Sequence, residues 1–271
     1  MSIAVLLCTY NGARFLQEQL DSLLGQSLKD FVVYVHDDGS SDGTVGILEE
    51  YAGKHPDRFV ILEDPEKHRG AARSFMWMLS VVDADYYFFC DQDDIWLPFK
   101  MRDTLDKMQA VEAEHPGIPV LIHTDLALCD GDNADLVPSF WQHQNFKVDI
   151  SKQRQYLAFG NIVTGCTAVI NRPLKEVAFP YDGDTMHDYW LAMKAARYGI
   201  LDNVKEQTIR YRQHGDNVAG AGQCYDKHRV FLKQFMRQVR EERARFRELT
   251  GRGLLSWFSY RMRYFYYRHI R

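Results

Sequence analysis

Tyr86-Tyr87-Phe88-Phe89-Cys90-Asp91-Gln92-Asp93-Asp94-Ile95-Trp96 is the stretch whose reading decides the fold. Its first half is a short apolar and aromatic run, the mark of a buried strand. Its second half sets three carboxylates in four positions, Asp91, Asp93 and Asp94. Side chains alternate faces along a strand, so Asp91 and Asp93 are expected to point the same way just past the strand end. Two carboxylates on one side repel each other unless a cation lies between them. Hard oxygen ligands suit Mg²⁺ or Mn²⁺, which commonly bridge carboxylates to a substrate phosphate. In open α/β sheets ligands bind at the carboxyl ends of strands, where this cluster falls. The same residues also read as a solvated acidic turn before the helix that starts near Pro98, and this stretch alone does not separate the two.

The flanking chain supplies the context. Residues 3–9 are an apolar strand running into the turn Thr9-Tyr10-Asn11-Gly12, and Phe15, Leu16, Leu20, Leu23 and Leu24 then recur at helical spacing. Residues 31–36 read as a second strand that ends in Asp37-Asp38-Gly39-Ser40-Ser41-Asp42-Gly43-Thr44. A helix over 43–53, a strand over 58–62 and a helix over 70–82 precede the acidic stretch. A helix with Met101, Leu105, Met108 and Val111 on its apolar face, then a strand over 119–128, follow it. This alternation predicts an α/β fold, a mainly parallel central sheet with helices on both faces. No strand runs into Gly-x-Gly-x-x-Gly or Gly-x-x-x-x-Gly-Lys-Ser/Thr, which disfavours dinucleotide oxidoreductases and P-loop enzymes.

The chain has 271 residues, 46% hydrophobic and 26% charged, a balance ordinary for a globular enzyme with a sizeable core. The expected organisation is one large domain over 1–217 and an extension over 218–271. Five cysteines, with no close pairs, favour a reducing cytosol over a disulfide framework or a zinc site. The apolar start is too short for a signal peptide, and no run of about 18 apolar residues offers a membrane span. Charge is uneven: residues 225–271 hold 13 Lys/Arg against 4 Asp/Glu, a net of +9, in a chain whose overall net is −4. Such asymmetry predicts that the tail has its own partner.

Three segments together are specific. Thr9-Tyr10-Asn11-Gly12, Asp37-Asp38-Gly39-Ser40-Ser41-Asp42-Gly43-Thr44 and Asp91-Gln92-Asp93-Asp94, in this order and spacing, resemble a family 2 glycosyltransferase of the GT-A fold. The resemblance covers residues 3–217. Phe89-Cys90-Asp91-Gln92-Asp93-Asp94-Ile95-Trp96 and Tyr211-Arg212-Gln213-His214-Gly215-Asp216-Asn217 are similar to the bacterial rhamnosyltransferase-like subgroup. That subgroup builds O-antigen and capsule polysaccharides, often from dTDP-rhamnose.

The resemblance implies a nucleotide pocket lined by Thr9, Tyr10, Asn11 and Gln92, with Asp38 on the base or ribose. His68-Arg69-Gly70 and Arg73 are similar to the region that borders the donor. Gly70 would admit the ligand to the backbone, and Arg69 or Arg73 would offset diphosphate charge. The same residues also read as a helix start with two solvated arginines. Asp91 and Asp93 match the Asp-x-Asp motif, implying Mg²⁺ or Mn²⁺ with Asp93 as the direct ligand. His214 matches the histidine that completes the metal site, and Arg212 is expected to meet phosphate. Gly165, in a segment 164–171 read as a strand, would line the sugars. His187-Asp188-Tyr189-Trp190 resembles the family's Glu-Asp motif with His in place of Glu. Asp188 is then the catalytic base, since a sugar hydroxyl is a poor nucleophile until a carboxylate takes its proton, and His187 and Trp190 border the acceptor. Read without the family, Asp188 is an acidic residue favoured by a helix N-terminus.

The implied reaction is an inverting, single displacement onto a lipid-linked or oligosaccharide acceptor. A UDP-hexose donor (glucose, galactose or GlcNAc) is the alternative within the family. A sugar-1-phosphate nucleotidyltransferase would carry a Gly-rich loop with Arg and Lys after the first strand, which Thr9-Tyr10-Asn11-Gly12 is not. A non-catalytic nucleotide-sugar scaffold stays open.

Residues 215–224 are Gly-rich and read as a lid. A helix is predicted over 225–249, broken by Gly251 and Gly253. Residues 254–271 mix aromatics with arginine, as an interfacial helix on an anionic membrane does. Packing of this hairpin on the domain, or on a second subunit in a homo-oligomer, is the alternative. No RNA-binding motif accompanies the charge, which disfavours nucleic acid. The expected location is cytoplasmic, peripheral on the inner face of the plasma membrane.

Overall fold

The computed structural model describes residues 1–215 and 232–269. In chain order the elements are β1 (Ile3–Thr9), α1 (Leu16–Leu24), β2 (Val32–Asp37), α2 (Thr44–Lys54), β3 (Phe59–Ile61), α3 (Ala71–Val81), β4 (Tyr86–Cys90), β5 (Ile95–Trp96), α4 (Lys100–Glu114), β6 (Val120–Cys129) and β7 (Asp135–Val137). Three short helices, α5 (Phe140–His143), α6 (Val148–Ser151) and α7 (Arg154–Leu157), lead to β8 (Val169–Asn171), α8 (Arg172–Ala178), α9 (His187–Tyr198) and β9 (Ile200–Arg212). The tail forms α10 (Leu232–Thr250) and α11 (Leu254–His269).

The sheet runs β3-β2-β1-β4-β8-β6-β9-β5, with β7 beside β6. Its first four strands are parallel, as alternation with helices dictates, while β8 enters antiparallel between β4 and β6. Register places the chemistry. Thr9 pairs with Asp37 across β1–β2, and Leu7 pairs with Cys90 across β1–β4. The carboxyl ends of β1, β2 and β4 therefore open at one edge, each continuing into one of the polar segments.

Period-2 alternation divides the core between the two sheet faces. Ala4, Leu6, Tyr87 and Phe89 pack toward α3 and α9, while Val5, Leu7, Phe88 and Cys90 pack toward α1 and α4. All eight are fully buried, so Phe88→Ala would cost roughly 3–5 kcal/mol. Cys8, Cys90, Cys129 and Cys166 are free thiols.

Several expectations are corrected. Residues 164–171 are not one strand: Gly165–Thr167 form a 3₁₀ turn and only Val169–Asn171 pair. A long strand not read from the sequence, β9, runs parallel to β6 and ends at Arg212. The tail hairpin packs on the domain through one face. Phe246, Leu249 and Trp257 are buried in the same core as Leu157, Leu191 and Ala195, and the Tyr156 ring meets Tyr260, Tyr264 and Tyr267. Apart from Gly215, the Gly-rich segment 215–224 read as a lid lies outside the described residues, as does the boundary at 217. No helix among the described residues is long and apolar enough to cross a membrane.

Candidate active site

The first two strand ends form a hydrogen-bonded wall. Asp37 closes an Asx turn, its Oδ2 accepting from the backbone N–H of Gly39 (3.1 Å) and Ser40 (2.8 Å). Its Oδ1 accepts from the Thr9 hydroxyl at 2.9 Å. Asn11 sits in the left-handed region at φ 49°, and its amide oxygen accepts from Ser41 N–H at 2.8 Å. Gln92 ties this wall to the acidic turn: it accepts from Tyr10 N–H at 2.8 Å and donates back to Tyr10 C=O at 3.0 Å. A Cβ at Gly12 would lie 2.1 Å from the Gln92 amide oxygen, so a larger residue there would displace Gln92 from Tyr10. The Tyr10 ring is half exposed, edge-on to His68 at 5.8 Å.

Asp38 turns inward. Its two oxygens accept the N–H groups of Arg69 and Gly70, each at 2.8 Å, and so hold the loop before α3. Gly70 has φ 77° and open space where a Cβ would stand. Arg69 is committed elsewhere than expected. Its guanidinium forks onto Asp64 at 2.6 and 3.0 Å, and this pair holds the Asp64 carboxyl down at about 2. The Arg73 side chain is more than half exposed and donates to Gly183 C=O at 3.0 Å.

The acidic turn is the electrostatic centre. Asp93 Oδ2 lies 2.8 Å from His214 Nε2, both side chains being largely buried. Asp91 is partly buried, and its carboxyl is pushed up to about 7 by burial, then by the charges of Asp93 and Asp188. Asp94 is fully buried and accepts Arg212 N–H at 3.2 Å. Beneath them, Lys100 is buried with no hydrogen-bond partner for Nζ among the described residues. It lies over the Trp96 ring at 4.5 Å and its ammonium is lowered to about 8, chiefly by burial.

Two donor sets can be compared for a cation. Ligand atoms of Asp91, Asp94 and Cys166 lie within 4.8 Å of one another. Burial holds the Cys166 thiol well above its ordinary pKa, which keeps it protonated, and a thiol is soft where Mg²⁺ and Mn²⁺ prefer oxygen. Asp93 and His214 offer harder donors, a carboxylate oxygen 2.8 Å from an imidazole nitrogen, and the Asp91 carboxyl is near enough to feel the Asp93 charge, although among the described residues only Asp91, Asp94 and Cys166 converge within 4.8 Å.

Arg212 is not placed to meet phosphate. It is almost wholly buried, donating to Asp93 C=O and to Gly131 C=O, both at 3.0 Å, and ion-paired with Glu18. Its guanidinium also covers the Phe15 ring at 4.6 Å. It pins the end of β9 against the acidic turn, so that His214, two residues on, reaches Asp93.

Asp188 lies in the first turn of α9 and accepts Tyr189 N–H at 2.6 Å. Burial outweighs this donor and pushes the carboxyl up to about 6, the range that suits a base working near neutrality. Its neighbours take other roles than the sequence implied. His187 is buried between Phe75 (4.4 Å) and Phe89 (5.4 Å), and burial lowers the imidazole to about 3. A Cβ on Gly165 would stand 2.7 Å from His187 Nε2, so the glycine makes room for this ring rather than for a sugar. Trp190 donates to Ala178 C=O at 2.7 Å and packs edge-on to Tyr181.

Sequence reading missed the walls around Asp188. A pocket of about 210 Å³ joins Asp188, Asn161, Thr164 and Tyr211 to an apolar surface from Leu126, Leu128, Phe140, Phe146, Ile162 and Val163. Phe146 also lines a larger cleft of about 570 Å³ with Trp141, Asp125, Gln142, Asn145 and Gln207. These side chains come from segments more than 80 residues apart, so no local pattern announces them. Only the alternation of β6 hints that Leu126 and Leu128 share a face.

Residues 4–120 match the model of glycosyl transferase family 2. A dTDP-rhamnosyl transferase of Shigella flexneri is 28% identical over 227 residues, covering 79% of this chain and 74% of that protein. Among solved structures, TarS 1–349 of S. aureus with UDP-GlcNAc aligns over 90% of this chain and 66% of its own, with TM-score 0.62 and 19% identity. A mannosyltransferase of Pyrobaculum calidifontis with GDP-Man and Mn²⁺ aligns over 99% of this chain and 70% of its own, with TM-score 0.64 and 18% identity. This chain thus spans two thirds to three quarters of each, and it shares the GT-A fold with the two solved structures.

Proposed function

We propose that this enzyme transfers a sugar, with inversion, from a nucleoside-diphosphate donor to a carbohydrate acceptor seated over Asp188. The observation that carries the reading is the Asp188 carboxyl lining the apolar pocket, close enough to the acidic turn for its charge to be felt at Asp91. A base and a leaving-group site within each other's field are what one in-line displacement needs. The donor is dTDP-rhamnose, a reading supported by the Shigella relative and by the wording of residues 89–96 and 211–217. UDP-hexose is the second reading, supported by the likeness to the UDP-GlcNAc complex.

Asp93, His214 and Asp91 would hold Mg²⁺ or Mn²⁺, which when bound neutralises the diphosphate and stabilises the departing nucleotide. The chain's own groups do the rest. The wall of Thr9, Tyr10, Asn11 and Gln92 receives the nucleoside. Gly70 and Arg73 border the diphosphate, and Asp38 orders that loop from behind. The acceptor sugar lays an apolar face on Phe146, Leu128 and Val163 and turns a hydroxyl to Asp188. Asp188 takes the hydroxyl proton as the acceptor oxygen bonds the anomeric carbon, and the bond from that carbon to the diphosphate oxygen breaks. The acceptor is a lipid-linked or oligosaccharide intermediate of a bacterial surface polysaccharide, and the enzyme works at the cytoplasmic face of the membrane.

Calorimetry of dTDP-rhamnose, UDP-glucose, UDP-galactose and UDP-GlcNAc, each with Mn²⁺ and with EDTA, tests the reading. Metal-dependent binding of one donor supports it and names the sugar. Tight binding unaffected by EDTA removes the cation site, and binding of none removes the donor assignment.

A further inference from the structure

We infer that the outer face of α11 and the arginine groove beside it form a docking surface for an anionic lipid bilayer. The inference specifies the surface behind the membrane location proposed above, and rests on that reading only for its biological purpose. α11 uses one face, with Trp257 and Tyr260, to close the core. Its other face exposes Leu254, Leu255, Phe258 and Met262, more than half of each side chain, and Leu255 is 88% exposed. These positions recur at helical spacing, so they form one stripe rather than scattered residues. Among the described residues, six of the fifteen exposed large apolar side chains fall within residues 254–266, and a contiguous patch of this kind marks an interaction site.

Charge selects the occupant. A groove of about 360 Å³ lies between α10 and the start of α11, lined by Arg240, Arg243, Arg247 and Arg252 around Trp257. Arg240, Arg243 and Arg247 stand on one face of α10 at spacings of three and four. The acidic residues of α10 are spent elsewhere: Glu241 on Arg237 and Arg245, Glu242 on Arg261, and Glu248 on Arg197. Among the described residues none of the four groove arginines meets a carboxylate, so no acidic side chain offsets their like charges. An apolar stripe flanked by unneutralised arginines matches a headgroup layer, with the stripe entering the acyl boundary and the groove taking lipid phosphates. A second copy of this chain would set the same arginines against its own. The surface is fixed relative to the active site. Phe246 is buried in the same core as Leu191 of α9, and Arg245 covers the Tyr189 ring at 5.5 Å, next to Asp188. Docking would therefore hold Asp188 at a set height above the bilayer, where a lipid-linked acceptor presents its sugar.

The test is co-sedimentation of the full chain with vesicles of phosphatidylcholine alone and with 30 mol% phosphatidylglycerol, beside Leu255→Ser/Phe258→Ser and Arg243→Ala/Arg247→Ala. All four substituted side chains are exposed, so folding is preserved, as circular dichroism will show. Binding is expected to anionic vesicles and not to neutral ones. The double arginine change should weaken it about thirtyfold, at about 1 kcal/mol per basic residue, and the apolar change should abolish it. Equal binding to both vesicle types, or anionic binding that neither variant moves, overturns the inference. So does a vesicle-free dimer that the apolar change dissociates. Free phosphate as competitor separates the sources: release by millimolar phosphate assigns the groove to a soluble anion and refutes the bilayer. Metal-dependent donor binding in solution is read separately, so either conclusion can fail without the other.

Discussion

Replacing Asp188 with Asn should abolish turnover and stabilise the protein at once. Asn keeps an oxygen for the Tyr189 N–H and nearly the same volume, but it can neither take a proton nor carry charge. As a base, Asp188 is worth 10²–10⁴ in kcat by the usual range for general base catalysis. Its ionised form is also costly. The folded carboxyl titrates at about 6 against an ordinary 3.8, raised first by burial. At 1.36 kcal/mol per pKa unit, ionising it in the fold costs about 3 kcal/mol near pH 8. The sign follows from the direction of the shift. A carboxyl raised in the fold favours the folded state below its unfolded pKa and loses that advantage as pH climbs through about 6. In EDTA, the Asn variant should therefore exceed the wild type by about 1–3 kcal/mol at pH 8, several degrees in Tm, and match it near pH 3.5. Single-turnover transfer and thermal melts across pH 4–8 measure both effects. Wild-type turnover should fall tenfold per unit well below pH 6, and the residual rate of the variant should lose that limb. A variant that melts below wild type at pH 8, or keeps more than a tenth of kcat, refutes the assignment. Donor binding weakened tenfold would instead move Asp188 into the cation set.

Three further outcomes follow from the same geometry. His214→Ala should weaken Mn²⁺ affinity 10- to 100-fold, read by titration of the metal alone, while leaving Tm within a degree or two. Gly165→Ala should destabilise by about 1–3 kcal/mol, because the new methyl meets a buried imidazole 2.7 Å away, and His187→Ala in the same chain should restore part of the loss in a denaturant melt. Arg212→Met should keep the volume over Phe15 yet lose the donors to the Asp93 and Gly131 carbonyls, lowering Mn²⁺ affinity through the backbone that carries Asp93.

What could be read in the sequence, and what could not, divides along one line. Segments whose meaning is local were legible. The apolar run 86–90 is a strand because its side chains fill both faces of a covered sheet, and the polar residues after 9, 37 and 90 cluster because β1, β2 and β4 are parallel and in register. Side chains whose partners only the fold reveals were misjudged. Arg69 and Arg212 are cations beside an expected anion, and charge alone argued for phosphate. The fold gives each a nearer carboxylate, Asp64 for the first and Glu18 for the second. Glycine at 165 signalled close approach correctly, but the approaching group is His187. Lys100 carried no signal at all, since a lysine at a helix start is ordinarily solvated.

Arg212 shows how the misjudged residues still bear on catalysis. A histidine at the end of a 13-residue strand, followed by a Gly-rich segment, has no reason to hold its place against an acidic turn 120 residues away. The buried guanidinium supplies the reason, because one side chain satisfies two carbonyl groups, pairs with Glu18 and covers Phe15. An exposed ion pair would contribute little to that constraint. Buried, hydrogen-bonded at three sites and packed on an aromatic face, it fixes the distance between Asp93 and His214 before any cation arrives. Preorganisation of that kind lowers the cost of assembling the two ligands on binding. If it operates here, Arg212→Lys should fail nearly as badly as Arg212→Met, since one ammonium cannot span three acceptors.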